Sequence, residues 1–222
     1  LVLEGELTTE LDDGRQVAAE RCSGLGAPGE TLQSFPAKEV KLGALPVARA
    51  LPVRNRRLVG PWCFLDRFGP LTFAGEKPMD VAPHPHIGLQ TVTWLLDGEI
   101  VHNDSLGYEA TVRPGGVNVM TAGRGIAHAE QTPRENSSRL DGVQLWAALP
   151  GEMRVMEPSF ESIEQVPVME QRGATIQVFS GSLSGTESPA RHHSDLVGAG
   201  IKIRAAQPVE LPLNPAYEHA VL

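Results

Sequence analysis

The stretch "HPHIGLQTVTWLLDGE" (His84 to Glu99) decides how this chain is read. It sets two of the chain's seven histidines one residue apart, directly ahead of a β-branched and aromatic run, Thr91 to Leu96, that closes on Asp97-Gly98-Glu99. Such a run, bounded by turn residues, predicts a strand. The pattern recurs downstream. "VNVM" (Val117 to Met120) follows the turn "RPGG", and "VQLWAAL" (Val143 to Leu149) is an apolar run ended by Pro150 and Gly151. Strands at intervals of roughly ten residues with turns between them predict an all-β antiparallel sandwich or barrel.

Composition points the same way. The 222 residues include 23 Gly and 18 Pro, punctuation too frequent for long helices, and "TESPARHHSDLVGAG" (Thr186 to Gly200) allows one short helical turn at most. A hydrophobic fraction of 41% with 21% charged residues is an ordinary globular balance, and the length suits one or two domains. The formal net charge of −8 argues against binding nucleic acid, because that affinity rests on Lys and Arg neutralising phosphates. Arg54, Arg56 and Arg57 read as a solvated loop. Cys22 and Cys63 are too few for a disulfide framework and read as reduced, with Cys63 a small buried hydrophobe in "PWCFLDRF". No apolar run reaches membrane-spanning length, and "LVLEGELTTELDDG" lacks the features of a signal peptide, so the expected location is cytoplasmic, away from membranes.

An internal repeat adds to this. "LVLEGEL" (Leu1 to Leu7) matches "WLLDGEI" (Trp94 to Ile100) position by position. Placing the chain's last residues, "LPLNPAYEHAVL", ahead of its first gives a gapless alignment to the stretch ending at Glu99, with Leu213 opposite His84, Pro215 opposite His86 and His219 opposite Gln90. The implied organisation is a metal-binding barrel over 36–150, a second, metal-free barrel over 151–222 plus 1–13, split between the chain ends or incomplete, and an irregular linker over 14–35.

Side chains at i and i+2 of a strand share a face, so His84 projects with His86, and His128 with Glu130 in "HAE". Paired strands would bring three imidazoles and one carboxylate together, a set suited to Fe(II), Mn(II), Ni(II) or Cu(II), with positions left open for exogenous ligands. A lone H-x-H motif is a weak signal; H-x-H combined with H-x-E, each after a turn, is a strong one. Gly123 and Gly125 allow a tight turn before His128 and keep side chains clear of the metal. His102 lacks the ligand spacing and reads as structural or as support for a ligand, while His192 and His193 read as solvated.

Together, "HPHIGLQTVTWLLDGEIVHNDSLG", "RPGGVNVMTAGRGIAHAE" and "DGVQLWAALP" resemble the pirin family of the cupin superfamily, particularly its bacterial members, with similarity running from about Leu51 to the end. The resemblance implies a bicupin: two stacked antiparallel β-barrels, with metal, usually iron, in the N-terminal one. The family's ligand positions fall on His84, His86, His128 and Glu130. Several members cleave flavonols such as quercetin with dioxygen; others are described as redox-dependent regulators of protein partners. Gln90 departs from the pattern, standing where many members have Glu, yet Glu130 already supplies a carboxylate. The second departure is at the ends, which read as a circularly permuted or incomplete bicupin.

Two functions follow. The first is a flavonol dioxygenase of the quercetin 2,3-dioxygenase type, with Fe(II) favoured, a small aromatic substrate, dioxygen, and Glu130 alternating between ligand and general base. The alternative is a non-enzymatic regulator whose iron redox state is read by a protein partner. Monomer or weak homo-oligomer is the expected state.

Overall fold

The computed structural model describes residues 2–4, 33–75, 77–204 and 209–222. In chain order the strands are β1 (Val2–Glu4), β2 (Lys38–Leu42), β3 (Leu45–Leu51), β4 (Trp62–Thr72), β5 (Asp80–His86), β6 (Leu89–Gly98), β7 (Ile100–Asp104) and β8 (Glu109–Val112). They continue as β9 (Val117–Thr121), β10 (Ile126–Gln131), β11 (Arg139–Ala148), β12 (Ser159–Ile163), β13 (Val168–Gln171), β14 (Ala174–Leu183), β15 (Thr186–Glu187) and β16 (Val197–Ile203). Among the described residues the only helical element is a 3-10 turn at Met153–Val155, and no helix is long and apolar enough to cross a membrane.

The strands of the described residues form three sheets. A seven-stranded sheet is ordered β12-β9-β6-β11-β4-β3-β2, a four-stranded sheet β5-β10-β7-β8, and a third β1-β16-β14-β13 with β15 on β14. Pairing is antiparallel except where β1 joins β16 in parallel, so the opening residues share a sheet with the C-terminal part of the chain.

The central strand β6 explains the layering. Its apolar run is nearly continuous because both faces are covered. Val92 and Trp94 face the third sheet, in a cluster with Phe179, Val166 and Leu196, whereas Leu95 faces the four-stranded sheet, in a cluster with Ile100, Val112 and Phe68. Strand β11 divides likewise: Val143, Leu145 and Ala147 join the first cluster, leaving Gln144 and Trp146 on the opposite face. Trp94 stacks on Phe179 with ring centroids 4.9 Å apart and planes 20° apart. Burying two such rings, about 150–250 Å² each, contributes several kcal/mol at about 25 cal/mol per Å². The Trp62 indole, donating to the Val197 carbonyl at 3.2 Å, adds a polar tie between the same layers.

The expected all-β architecture is therefore present, with longer strands than the apolar runs alone suggest. All but the last residue of the Val143–Leu149 run form the second part of β11, whose first part from Arg139 is bulged where it passes β4 and β6. Residues 211–222, which the repeat alignment sets opposite β5 and β6, carry no strand; Leu211 and Leu213 instead pack on the cluster of Ile176, Val178 and Ile201. Most of 1–13, residues 14–32 and Cys22 lie outside the described residues. Cys63 is a half-buried free thiol directed at the Trp146 carbonyl, and burial raises its pKa.

Candidate metal centre

Antiparallel pairing of β5 and β10 sets His128 directly opposite His84 and Ile126 opposite His86. Along β10 burial alternates strictly, so Ile126, His128 and Glu130 point inward together. Neighbouring strands close the space. Thr93 reaches in from β6, His102 from β7, and Gln144 and Trp146 from β11. These polar groups lie between two apolar clusters, one around Leu95, Ile100 and Phe68, the other around Met120, Ile126 and Phe160.

The structure brings three of the four expected ligands together: one donor atom each of His84, His86 and His128 lies within 4.8 Å of the others. His84 is half-buried; the other two are buried. Nδ1 of His84 lies 2.9 Å from the Ala82 carbonyl oxygen, which can only accept, so the proton sits on Nδ1 and Nε2 presents a lone pair. That Nε2 faces Nε2 of His128 at 3.1 Å. Two ligands at about 2.1 Å from one ion and at a right angle to each other stand about 3.0 Å apart. Nε2 of His86 is buried with no hydrogen-bond partner. Burial pushes His86 down to about 4 and His128 to about 3, with neighbouring imidazoles adding to the shift, so both are neutral, the form that binds metal. The donor set fits a divalent transition ion.

Glu130 is buried but stands outside the three-histidine group. A register shift between His128 and Glu130 moves Glu130 opposite Val81, and its Oε1 accepts from the Thr93 hydroxyl at 3.1 Å. Burial raises its pKa, opposed in part by that hydrogen bond and by His84. The Thr93 hydroxyl is also 2.9 Å from Oε1 of Gln144.

His102, which lacks ligand spacing, is in contact with the cluster. Its Nδ1 is 3.3 Å from Nδ1 of His128, its Nε2 is 3.0 Å from Asp104 Oδ2, and its ring stacks on Phe160 at 4.1 Å. Burial lowers its pKa against the opposing influence of Asp104. Sequence reasoning missed Asp104, Thr93, Gln144 and Trp146. Asp104 had a signal, since it follows His102 by two residues on one strand; the other three depend on which strands become neighbours.

Three sequence readings change. His192 is not solvated: both ring nitrogens are buried without a hydrogen-bond partner, the ring lies edge-on to Trp62, and burial lowers its pKa to about 4. Gln90 lies on the β6 face opposite Thr93, where its amide donates to Thr121 Oγ1 at 2.9 Å and to the Arg191 carbonyl at 3.0 Å. Glu or Gln at this position therefore meets the 191–193 loop rather than the histidines. Gly123, at φ +50°, is demanded by backbone: a Cβ there would collide with the Met156 carbonyl oxygen.

The family model described as Pirin matches residues 44–147. A Pseudomonas aeruginosa protein provisionally named a quercetin 2,3-dioxygenase is 42% identical over 193 residues, spanning 86% of this chain and 61% of that protein. A pirin-like protein of Caulobacter vibrioides is 41% identical over 194 residues, spanning 82% of this chain and 67% of its own length. Among solved structures, a quercetin 2,3-dioxygenase from Acinetobacter baumannii superposes with a TM-score of 0.79 at 43% identity, over 82% of this chain and 61% of that one. An Escherichia coli bacterial pirin solved in complex with nickel(II) shares the fold, with a TM-score of 0.50 at 18% identity over 77% of this chain and 87% of its own. This chain thus spans 61% and 67% of the lengths of the two curated relatives named.

Proposed function

The chain belongs to the pirin family, and on that premise we propose that it is a metal-dependent dioxygenase acting on a flavonol of the quercetin type. His84, His86 and His128 would hold one divalent ion through their Nε2 atoms, with Fe(II) the favoured occupant and Glu130 supplying a carboxylate beside it. The observation that carries the reading is the meeting of the His84 and His128 Nε2 atoms at 3.1 Å beside the partnerless Nε2 of His86. When bound, such an ion supplies Lewis acidity that favours deprotonation of a substrate hydroxyl, with dioxygen as the oxidant of the overall reaction.

The protein's own groups handle the proton and the ring. Glu130, with its pKa raised by burial, is suited to take a hydroxyl proton and keep it. Ionised, Glu130 accepts from the Thr93 hydroxyl; protonated, it donates to that hydroxyl, which then donates to Gln144 Oε1. One rotation of Thr93 serves both states. Trp146 and Phe64, both partly exposed, stack at 3.9 Å, and Trp146 meets the edge of His86, giving a planar aromatic surface beside the ligands. That surface suits a planar aromatic substrate.

The test is oxygen consumption with quercetin after anaerobic loading with Fe(II), Mn(II), Ni(II) or Cu(II), beside His84→Ala and Glu130→Gln. The expected result is metal-dependent consumption that His84→Ala abolishes and Glu130→Gln strongly reduces. Full turnover in Glu130→Gln would remove its base role. Silence with every metal at confirmed stoichiometric loading would overturn the dioxygenase reading in favour of a redox-read regulator.

A further inference from the structure

We propose that Asp104 and His102 form a hydrogen-bond relay that fixes His128 as its Nδ1–H tautomer, so that its bare Nε2 faces the metal position. Both are positioning residues, and the proposal rests on the metal reading of the three histidines.

The proton assignments follow atom by atom. Oδ1 of Asp104 accepts from the backbone N–H groups of Leu106 at 2.8 Å and Tyr108 at 3.2 Å, which holds the carboxylate in one orientation. Its Oδ2 lies 3.0 Å from His102 Nε2, and a carboxylate accepts, so His102 carries its proton on Nε2. A neutral His102 then has a bare Nδ1. That atom is 3.3 Å from Nδ1 of His128, which must be the donor. A neutral His128 protonated on Nδ1 is bare on Nε2, the atom that faces His84 at 3.1 Å. The relay has little freedom to rearrange: the side chain of His102 is 4% exposed and that of Asp104 0%, and the His102 ring lies flat on Phe160 with planes 5° apart.

The same geometry says what Asp104→Asn does. The Leu106 and Tyr108 N–H groups still require an acceptor, so the amide oxygen takes the Oδ1 place and the NH₂ faces His102. His102 Nε2 must then accept, its Nδ1 becomes the donor, and His128 accepts on Nδ1 and carries its proton on Nε2. The nitrogen meant for the metal is blocked without any loss of volume or of the loop's hydrogen bonds.

The experiment records long-range ¹H–¹⁵N spectra of the metal-free protein and measures affinity for nickel(II) by competition with a chelator. The wild-type chain is expected to show His128 protonated on Nδ1 and His102 on Nε2. Asp104→Asn is expected to invert both tautomers and weaken nickel(II) binding about ten- to a hundredfold. His102→Phe keeps the stacked ring, breaks the relay and is expected to weaken binding less, because nothing then forces the wrong tautomer. In the His102→Phe background, adding Asp104→Asn should change nothing further. Wild-type His128 found protonated on Nε2, unchanged nickel(II) affinity in Asp104→Asn, or an undiminished Asp104→Asn effect in the His102→Phe background would each overturn the relay. The tautomer spectra need no metal, so a wild-type chain that shows the expected tautomers but binds no nickel(II) would overturn the metal reading alone.

Discussion

His192 offers a quantitative handle on the packing of the third sheet against the seven-stranded one. Its two ring nitrogens are buried without partners and its pKa is lowered to about 4, burial being the main cause; Glu161 pulls the value up and His193 pushes it further down. In the unfolded chain the same imidazole titrates near about 6.5. Between these values the unfolded state holds a proton that the folded state refuses, so stability falls as pH drops from about 6.5 toward about 4 and levels off below. The slope in that window is about 1.4 kcal/mol per pH unit, which makes the loss between pH 7 and pH 5 about 2 kcal/mol. His192→Leu removes the titration and replaces partnerless polar atoms with an apolar side chain, so it is expected to match or exceed the wild type in stability at pH 8. Urea melts at pH 8, 7, 6 and 5 should show the wild type losing about 2 kcal/mol more than the variant, or about 4–8 °C in a thermal melt. His86 and His128, whose values burial also lowers, are common to both proteins and cancel in the difference. Parallel pH profiles for the two proteins would refute the reasoning, as would a variant markedly weaker at pH 8.

Three further outcomes follow from the packing and the site. Arg49 holds Asp66, whose side chain is 1% exposed, through two hydrogen bonds of 2.8 Å; Arg49→Met should cost about 3 kcal/mol in urea unfolding, and Arg49→Met combined with Asp66→Leu should recover most of it. Phe179→Ala removes the ring stacked on Trp94 and should cost about 3–5 kcal/mol, read as a lower denaturation midpoint with the slope unchanged. Nickel(II) at a hundredfold excess over its dissociation constant should stabilise the wild-type chain by about 2.7 kcal/mol and leave His128→Ala unmoved; equal shifts in the two proteins would place the ion elsewhere.

What the sequence determined by itself was local. Strand character followed from β-branched runs closed by Gly and Pro, and the sharing of one strand face by His84 and His86 and by His128 and Glu130 followed from the two-residue period, which no tertiary contact can alter without breaking the strand. The motif around those histidines was specific enough to carry the family resemblance. Tertiary structure decided the rest, because it depends on which strands become neighbours and which faces are covered. Gln90 belongs to a layer contact because β6 is buried on both sides, and the ring nitrogens of His192 are buried because the segment after β15 folds against Trp62. The β10 register sets Glu130 beside Thr93 and outside the histidine group, and the order β5-β10-β7 carries Asp104 and His102 to the far side of His128. A two-residue period says which side chains share a face; only the paired sheet says what that face meets.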